Sequence, residues 1–137
     1  DGVDLGWAIT LRGGGLVAPA IPGAERLDAD AMMAALRDLV RRARSGGLRG
    51  SELTGASVTV TSLGDRGADT VWPVIHPPQV AMLGFGAILT RPWVAGEALL
   101  PRPVVTMTLA ADHRVSDGHA GSLLLDDIAG ELEALSG

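Results

Sequence analysis

The spacing of apolar residues changes from strand-like to helical and back along this chain, and that change limits the folds it can adopt. Within residues 28–45, apolar side chains recur every three or four positions, as on one face of a helix. They are Met32, Leu36, Leu39, Val40 and Ala43. Asp28 is suited to cap the start of this helix and Gly46 to end it, so the segment predicts a helix packed on a core.

Strand-like segments lie on both sides of this helix. Short apolar runs at 5–11 and 16–21, joined by three consecutive glycines, predict a hairpin or bent strand pair. Residues 57–64 and 103–112 alternate between two faces, as half-buried strands do. The 79–89 run is almost continuously apolar, which predicts a strand buried on both faces.

A second helix is predicted over 118–135. We expect its apolar stripe to be buried; the stripe consists of Leu124, Ile128, Leu132 and Leu135. We also expect Pro92 and Gly96 to bound a turn, and the 103–112 strand to be central in its sheet. Strands and helices mixed in this way predict an α/β or α+β sandwich, with a mixed β-sheet and flanking helices.

Composition excludes several kinds of chemistry. The 137 residues suit one domain, and they include no lysine and no cysteine. Schiff-base, pyridoxal phosphate and Walker-type sites need lysine, and thiolate nucleophiles need cysteine. Three scattered histidines argue against a metal site. No apolar run approaches the ~20 residues needed to cross a membrane, so we expect no membrane association. The absence of cysteine fits the cytoplasmic location that we expect.

Four of the arginines cluster in the predicted 28–45 helix, at Arg37, Arg41, Arg42 and Arg44. We interpret them as a solvated helix face, because acidic residues lie close by in sequence. A phosphate or nucleic-acid patch is the alternative. The net charge of −5 and the scarcity of aromatic residues oppose nucleic-acid binding.

The stretch LAADHRVSDGHAG, at 109–121, places His113 between an apolar strand and the pair Asp117–Gly118. A neutral imidazole, with an ordinary pKa near 6.5, can accept a proton from a thiol or hydroxyl group at neutral pH. The residues alone also allow a simpler interpretation, in which His113 merely ends a strand and Asp117 caps the next helix. His76 and His119 are interpreted as structural.

Beyond these patterns, DHRVSDG closely resembles the signature of the catalytic domain of dihydrolipoamide acyltransferases, the E2 components of 2-oxo acid dehydrogenase complexes. Three further blocks, at 13–21, 41–64 and 74–88, resemble segments of that family in the same order. The resemblance implies a chloramphenicol acetyltransferase-like fold for coenzyme A-dependent acyl transfer. It also implies that 1–137 is a single catalytic domain without its N-terminal portion.

The resemblance assigns roles to five residues. His113 matches the base that deprotonates the thiol of coenzyme A, and Thr61 matches the Ser or Thr that stabilises the oxyanion. Asp117 matches the motif aspartate, which we expect to hold the active-site loop. Ser62 and Gly64, just after Thr61, are expected to contact coenzyme A.

The resemblance also implies partners. We expect a homotrimer whose active site lies between subunits, with coenzyme A as a substrate and no metal. Because the chain has no lysine, the lipoyl group must be presented by another domain or chain. The E1 and E3 components of the complex are the expected protein partners, and no nucleic acid is expected.

Two other functions stay open. One is another trimeric acyltransferase with an HxxxDG motif, such as the chloramphenicol acetyltransferase-like group, although the 41–64 and 74–88 blocks favour the first family. The other is a non-catalytic core or assembly module, since Ser116 and His76 depart from the family pattern. The intact His113, Asp117 and Thr61 favour an enzyme.

Overall fold

The computed structural model describes residues 2–136, without the side chain of Arg66. Its strands are β1 (Leu5–Trp7), β2 (Ile9–Thr10), β3 (Leu16–Val17), β4 (Ala20–Ile21), β5 (Val58–Ser62), β6 (Ala81–Phe85), β7 (Leu89–Ala95), β8 (Ala98–Val104) and β9 (Met107–Ala111). Its α-helices are α1 (Ala29–Ser45), α2 (Gly50–Thr54) and α3 (Gly118–Ser136). None of the described helices combines the length and the apolar character that a membrane crossing requires.

A five-stranded mixed sheet organises these elements, in the order β4-β1-β5-β6-β9. Strands β1, β5 and β6 are parallel, whereas β4 and β9 run antiparallel to their neighbours. The predicted mixed sheet with flanking helices is confirmed. The expectation that His113 follows a central strand is wrong, because β9 is the outer strand and pairs only with β6 among the described residues. Alternating polarity does not distinguish these two positions.

Helix α1 forms as predicted. The Asp28 carboxylate accepts a hydrogen bond of 2.8 Å from the backbone N–H of Ala31, and Gly46 ends the helix in the left-handed region at φ 78°. The inner face of α1 packs on the β1–β4 end of the sheet, where Leu39 is only 1% exposed. Its neighbours in this core include Ile9 and Ile21.

Replacement of Leu39 by alanine should destabilise this core strongly. The change removes a fully buried side chain and leaves a cavity, which costs about 3 kcal/mol of unfolding free energy. Chemical denaturation of the Leu39→Ala variant measures the loss. Met33→Ala is the matched control on the same helix, because Met33 is 48% exposed and its truncation should change stability by about 0.5 kcal/mol or less. Equal losses in both variants would contradict the assigned core.

Two predicted strands are shorter than expected. The strand predicted over 79–89 ends at Phe85, the last residue of β6. Beyond it, the backbone N–H of Ala87 bonds to the carbonyl of Ala68 at 3.0 Å and not to a neighbouring strand. The 103–112 run divides between β8 and β9. Strands β7 and β8 form a separate two-stranded ribbon that the sequence did not predict, since Pro92 lies within β7 rather than at a turn. Gly96 does lie in the connecting turn, at φ 63°.

Helix α3 also differs from its prediction. The helix spans the expected residues, but none of its side chains is buried. Leu124, Leu132 and Leu135 are 42%, 40% and 84% exposed, so the predicted buried stripe is wrong for this chain alone. The physical reason is that α3 packs mainly along β9 at the edge of the sheet, which covers only part of its surface.

Candidate active site

His113 lies in a tight turn that is hydrogen-bonded to the end of the sheet. The preceding residue, Asp112, donates its backbone N–H to the carbonyl of Val80 at 2.8 Å. The carbonyl of Asp112 in turn accepts hydrogen bonds from the N–H groups of Val115, at 2.9 Å, and Ser116, at 3.1 Å. His113 itself is exposed within the single chain. The turn therefore holds its backbone while leaving its ring accessible.

An ion pair spans His113 in sequence. The guanidinium of Arg114 donates hydrogen bonds to both carboxylate oxygens of Asp112, with Nη2–Oδ2 at 2.6 Å and Nε–Oδ1 at 3.0 Å. The backbone N–H of Arg114 donates to Oδ1 as well, at 3.0 Å. These hydrogen bonds lower the pKa of Asp112 to about 2. We infer that the pair stiffens the turn that presents His113. The alternating Asp-His-Arg charges were the available signal, which the sequence interpretation did not use.

This ion pair predicts the response of the protein to acid. Since the pKa of Asp112 falls from 3.8 to about 2 on folding, the pair stabilises the protein above about pH 4 and is lost as the pH falls through about 2. Urea denaturation should show that the wild type loses stability between about pH 4 and 2 more steeply than Asp112→Asn does. Asp127→Asn, on an exposed part of α3, is the control and should keep the wild-type slope. Equal slopes for wild type and Asp112→Asn would contradict the assignment.

Asp117 lies at the start of α3. Its carboxylate accepts a hydrogen bond of 2.8 Å from the backbone N–H of Ala120, and its carbonyl accepts one of 3.0 Å from Gly121. Among the described residues it makes no hydrogen bond to His113. This position suits the predicted role of holding the loop between β9 and α3, and it also satisfies the simpler helix-cap interpretation.

A shallow cavity of about 430 Å³ adjoins the His113 turn. Its lining residues are Ile75, Pro77, Pro78, Gln79, Val80, Asp112 and Arg114. His76 lies in this loop, with its Nδ1 3.0 Å from the carbonyl of Pro77. Asp112 and Arg114, on either side of His113, line this cavity, whereas His113 and His76 do not.

Thr61 lies at the other end of the sheet. It is the penultimate residue of β5, half-buried, and opposite Gly84 of β6. The exposed Ser62 follows, and its hydroxyl accepts a hydrogen bond of 3.3 Å from the N–H of Gly64. Gly64 has φ +60°, which favours glycine in this turn. Thr61, Ser62 and Gly64 thus lie together at this end of the sheet, apart from His113.

The separation of Thr61 and His113 follows from the strand register. At the His113 edge, the Asp112 N–H bonds to Val80, and the Val80 N–H bonds to Ser57 at 2.9 Å. Thr61 is four residue steps beyond Ser57, about 13 Å along the strand, and β9 is two strand spacings, about 10 Å, from β5. The gap between the two backbones is wider than one attacked carbonyl group can bridge.

Comparison with known proteins agrees with this architecture. The family model "2-oxoacid dehydrogenases acyltransferase (catalytic domain)" matches residues 1–136. The acetyltransferase component of the pyruvate dehydrogenase complex of Mycobacterium bovis is 38% identical over 97% of this chain and 25% of its own length. The succinyltransferase component of a mitochondrial 2-oxoglutarate dehydrogenase complex of Arabidopsis thaliana is 34% identical over 97% of this chain and 28% of its own length.

A solved structure has the same fold. The dihydrolipoamide acetyltransferase of Azotobacter vinelandii superposes with a TM-score of 0.83 at 31% identity, over 92% of this chain and 51% of that one. The mixed sheet with flanking helices is thus the fold of an acyltransferase catalytic core. The chain belongs to the catalytic-domain family of 2-oxo acid dehydrogenase acyltransferases. It spans about a quarter of the length of the curated relatives that it matches.

Proposed function

We propose that this chain is the catalytic domain of an acyltransferase that moves an acyl group between dihydrolipoamide and coenzyme A. One observation carries the proposal. The Azotobacter vinelandii enzyme has been studied for the catalytic roles of a serine, a histidine and an asparagine, separated by 52 and then four residues. Thr61, His113 and Asp117 have the same order and the same two spacings.

The chemistry follows from these residue types. The neutral imidazole of His113 accepts the proton of the coenzyme A thiol, whose ordinary pKa near 8.5 leaves it mostly protonated at neutral pH. The resulting thiolate attacks the thioester carbonyl of S-acyl-dihydrolipoamide. The Thr61 hydroxyl donates a hydrogen bond to the oxyanion that forms. When the tetrahedral intermediate collapses, the dihydrolipoamide sulfur leaves and takes the proton from the imidazolium.

A site built from two subunits supports this chemistry better than a single chain does. His113 and Thr61 lie at opposite ends of the sheet, and acyl transfer needs both at one reacting centre. A homotrimer would bring the histidine end of one subunit against the threonine end of the next and repeat that contact around a closed ring. We therefore propose a homotrimer with three shared sites.

The same proposal names the remaining participants. The lipoyl group comes from another domain or chain, because this chain has no lysine to carry it. The E1 component loads that lipoyl group with the acyl group, and the E3 component reoxidises it. Relatives at 38% and 34% identity transfer acetyl and succinyl groups by name, so both acyl groups are candidates.

A direct assay tests the proposal. Acetyl-, succinyl- and branched-chain acyl-coenzyme A are each offered to the intact protein with dihydrolipoamide, and formation of the lipoyl thioester is followed. We expect transfer of at least one acyl group. A protein that forms trimers but transfers none of the three would instead support the non-catalytic assembly module.

A further inference from the structure

Four arginines from two distant parts of the sequence line one surface depression of about 460 Å³. Its lining residues are Arg12, Arg37, Val40, Arg41, Arg44 and Ser45. The α1 members lie on one helix face, whereas Arg12 reaches the depression from the turn between β2 and β3. Within residues 2–136, no carboxylate lines it. This set differs from the cluster seen in the sequence, which included Arg42 and lacked Arg12.

Most of the arginines around the depression are not paired with a carboxylate. Arg42 points away and pairs with Asp38 and Glu52, each at 2.7 Å. Arg41 shares Asp38 at 2.5 Å. The other three arginines of the depression form no ion pair with any described residue. Like charges drawn together without partners repel one another, and a bound anion would relieve that repulsion.

The depression lies at the same end of the molecule as Thr61. Strand β1 runs parallel to β5, with Trp7 opposite Val60, and the N–H of the following Ala8 bonds to the Val60 carbonyl at 2.9 Å. The chain that leads to Arg12 therefore leaves β1 on the Ser62 side of β5. A ligand held there is on the threonine side of the sheet, away from the His113 turn.

We propose that this depression binds a ligand bearing two or more phosphoryl groups. The planar guanidinium donates paired hydrogen bonds that match phosphate oxygens, and several guanidiniums around one concavity suit a diphosphate better than a single carboxylate. The phosphate end of coenzyme A and a free diphosphate share this chemistry. The first source rests on the proposed function, whereas the anion site itself does not.

Isothermal titration of the intact protein with inorganic pyrophosphate tests the site without any acyl transfer. At low ionic strength, we expect the Arg37→Gln/Arg44→Gln variant to bind pyrophosphate about tenfold more weakly than wild type. Paired Arg102→Gln and Arg26→Gln changes on other surfaces remove the same charge and should leave the affinity unchanged. Absence of binding to wild type, or an equal loss in the control variant, would overturn the proposal.

Values of KM distinguish coenzyme A from a free diphosphate as the ligand of this depression. If coenzyme A is the ligand, the Arg37→Gln/Arg44→Gln variant should raise KM for coenzyme A about tenfold at unchanged kcat, and should not alter KM for phosphate-free pantetheine. If a free diphosphate is the ligand, both KM values stay constant while pyrophosphate binding weakens. A protein with no acyl transfer but wild-type pyrophosphate binding would end the proposed function and keep the anion site.

Discussion

In the His113→Ala variant, we expect kcat for acyl transfer to fall by about 10³-fold. The substitution removes the only group proposed to take the thiol proton, and a positioned general base contributes roughly 10²–10⁴-fold to the rate. His113 is exposed and makes no side-chain hydrogen bond among the described residues, so its loss should leave folding intact. The measurement is steady-state transfer from acyl-coenzyme A to dihydrolipoamide, with unfolding followed in parallel.

His119→Ala is the matched control for this result. His119 lies six residues further on, exposed in the first turn of α3, and removal of its ring takes away the same volume without touching the proposed base. We expect activity close to wild type. If His113→Ala retained wild-type kcat, or if both variants lost activity equally, His113 would not be the base.

The parts of the fold that depend on local pattern were predictable from the sequence. Helix α1 and its cap at Asp28 follow from short-range spacing, and so does β5. The position of β9 at the edge of the sheet was not predictable, because pairing with β6 alone or with two neighbours leaves the same alternation within the strand. The ribbon of β7 and β8 was not predicted, because Pro92 is normally a sign of a turn or an interrupted strand.

The candidate site was predictable residue by residue but not as an arrangement. A motif identifies His113 and Thr61 without stating at which end of the sheet each residue lies, since that depends on long-range register. The ion pair between Asp112 and Arg114 could be identified only from side-chain geometry. The arginine depression could be identified only once Arg12, which is distant from α1 in sequence, was seen to lie beside that helix. In each case the missing information is a contact between segments that no local spacing encodes.

Mixed trimers give the most demanding test of the shared site. Thr61→Ala alone should lower kcat by about 10²-fold, because one donor to the oxyanion is lost. We expect a second effect when His113→Ala and Thr61→Ala subunits are unfolded together in equal amounts and refolded. About one random pairing in four then joins an intact His113 to an intact Thr61, so activity should rise to about a quarter of wild type.

The recovery discriminates between the two possible architectures. If both residues served a site within one chain, every subunit in the mixture would carry one defect, and the mixture would show only the mean of the two weak activities. Refolding each variant separately and mixing afterwards controls for subunit exchange and should give no recovery over the first minutes. Thr61 and His113 are far apart within one chain. Recovery after joint refolding would therefore require an active site that combines His113 of one subunit with Thr61 of a neighbouring subunit.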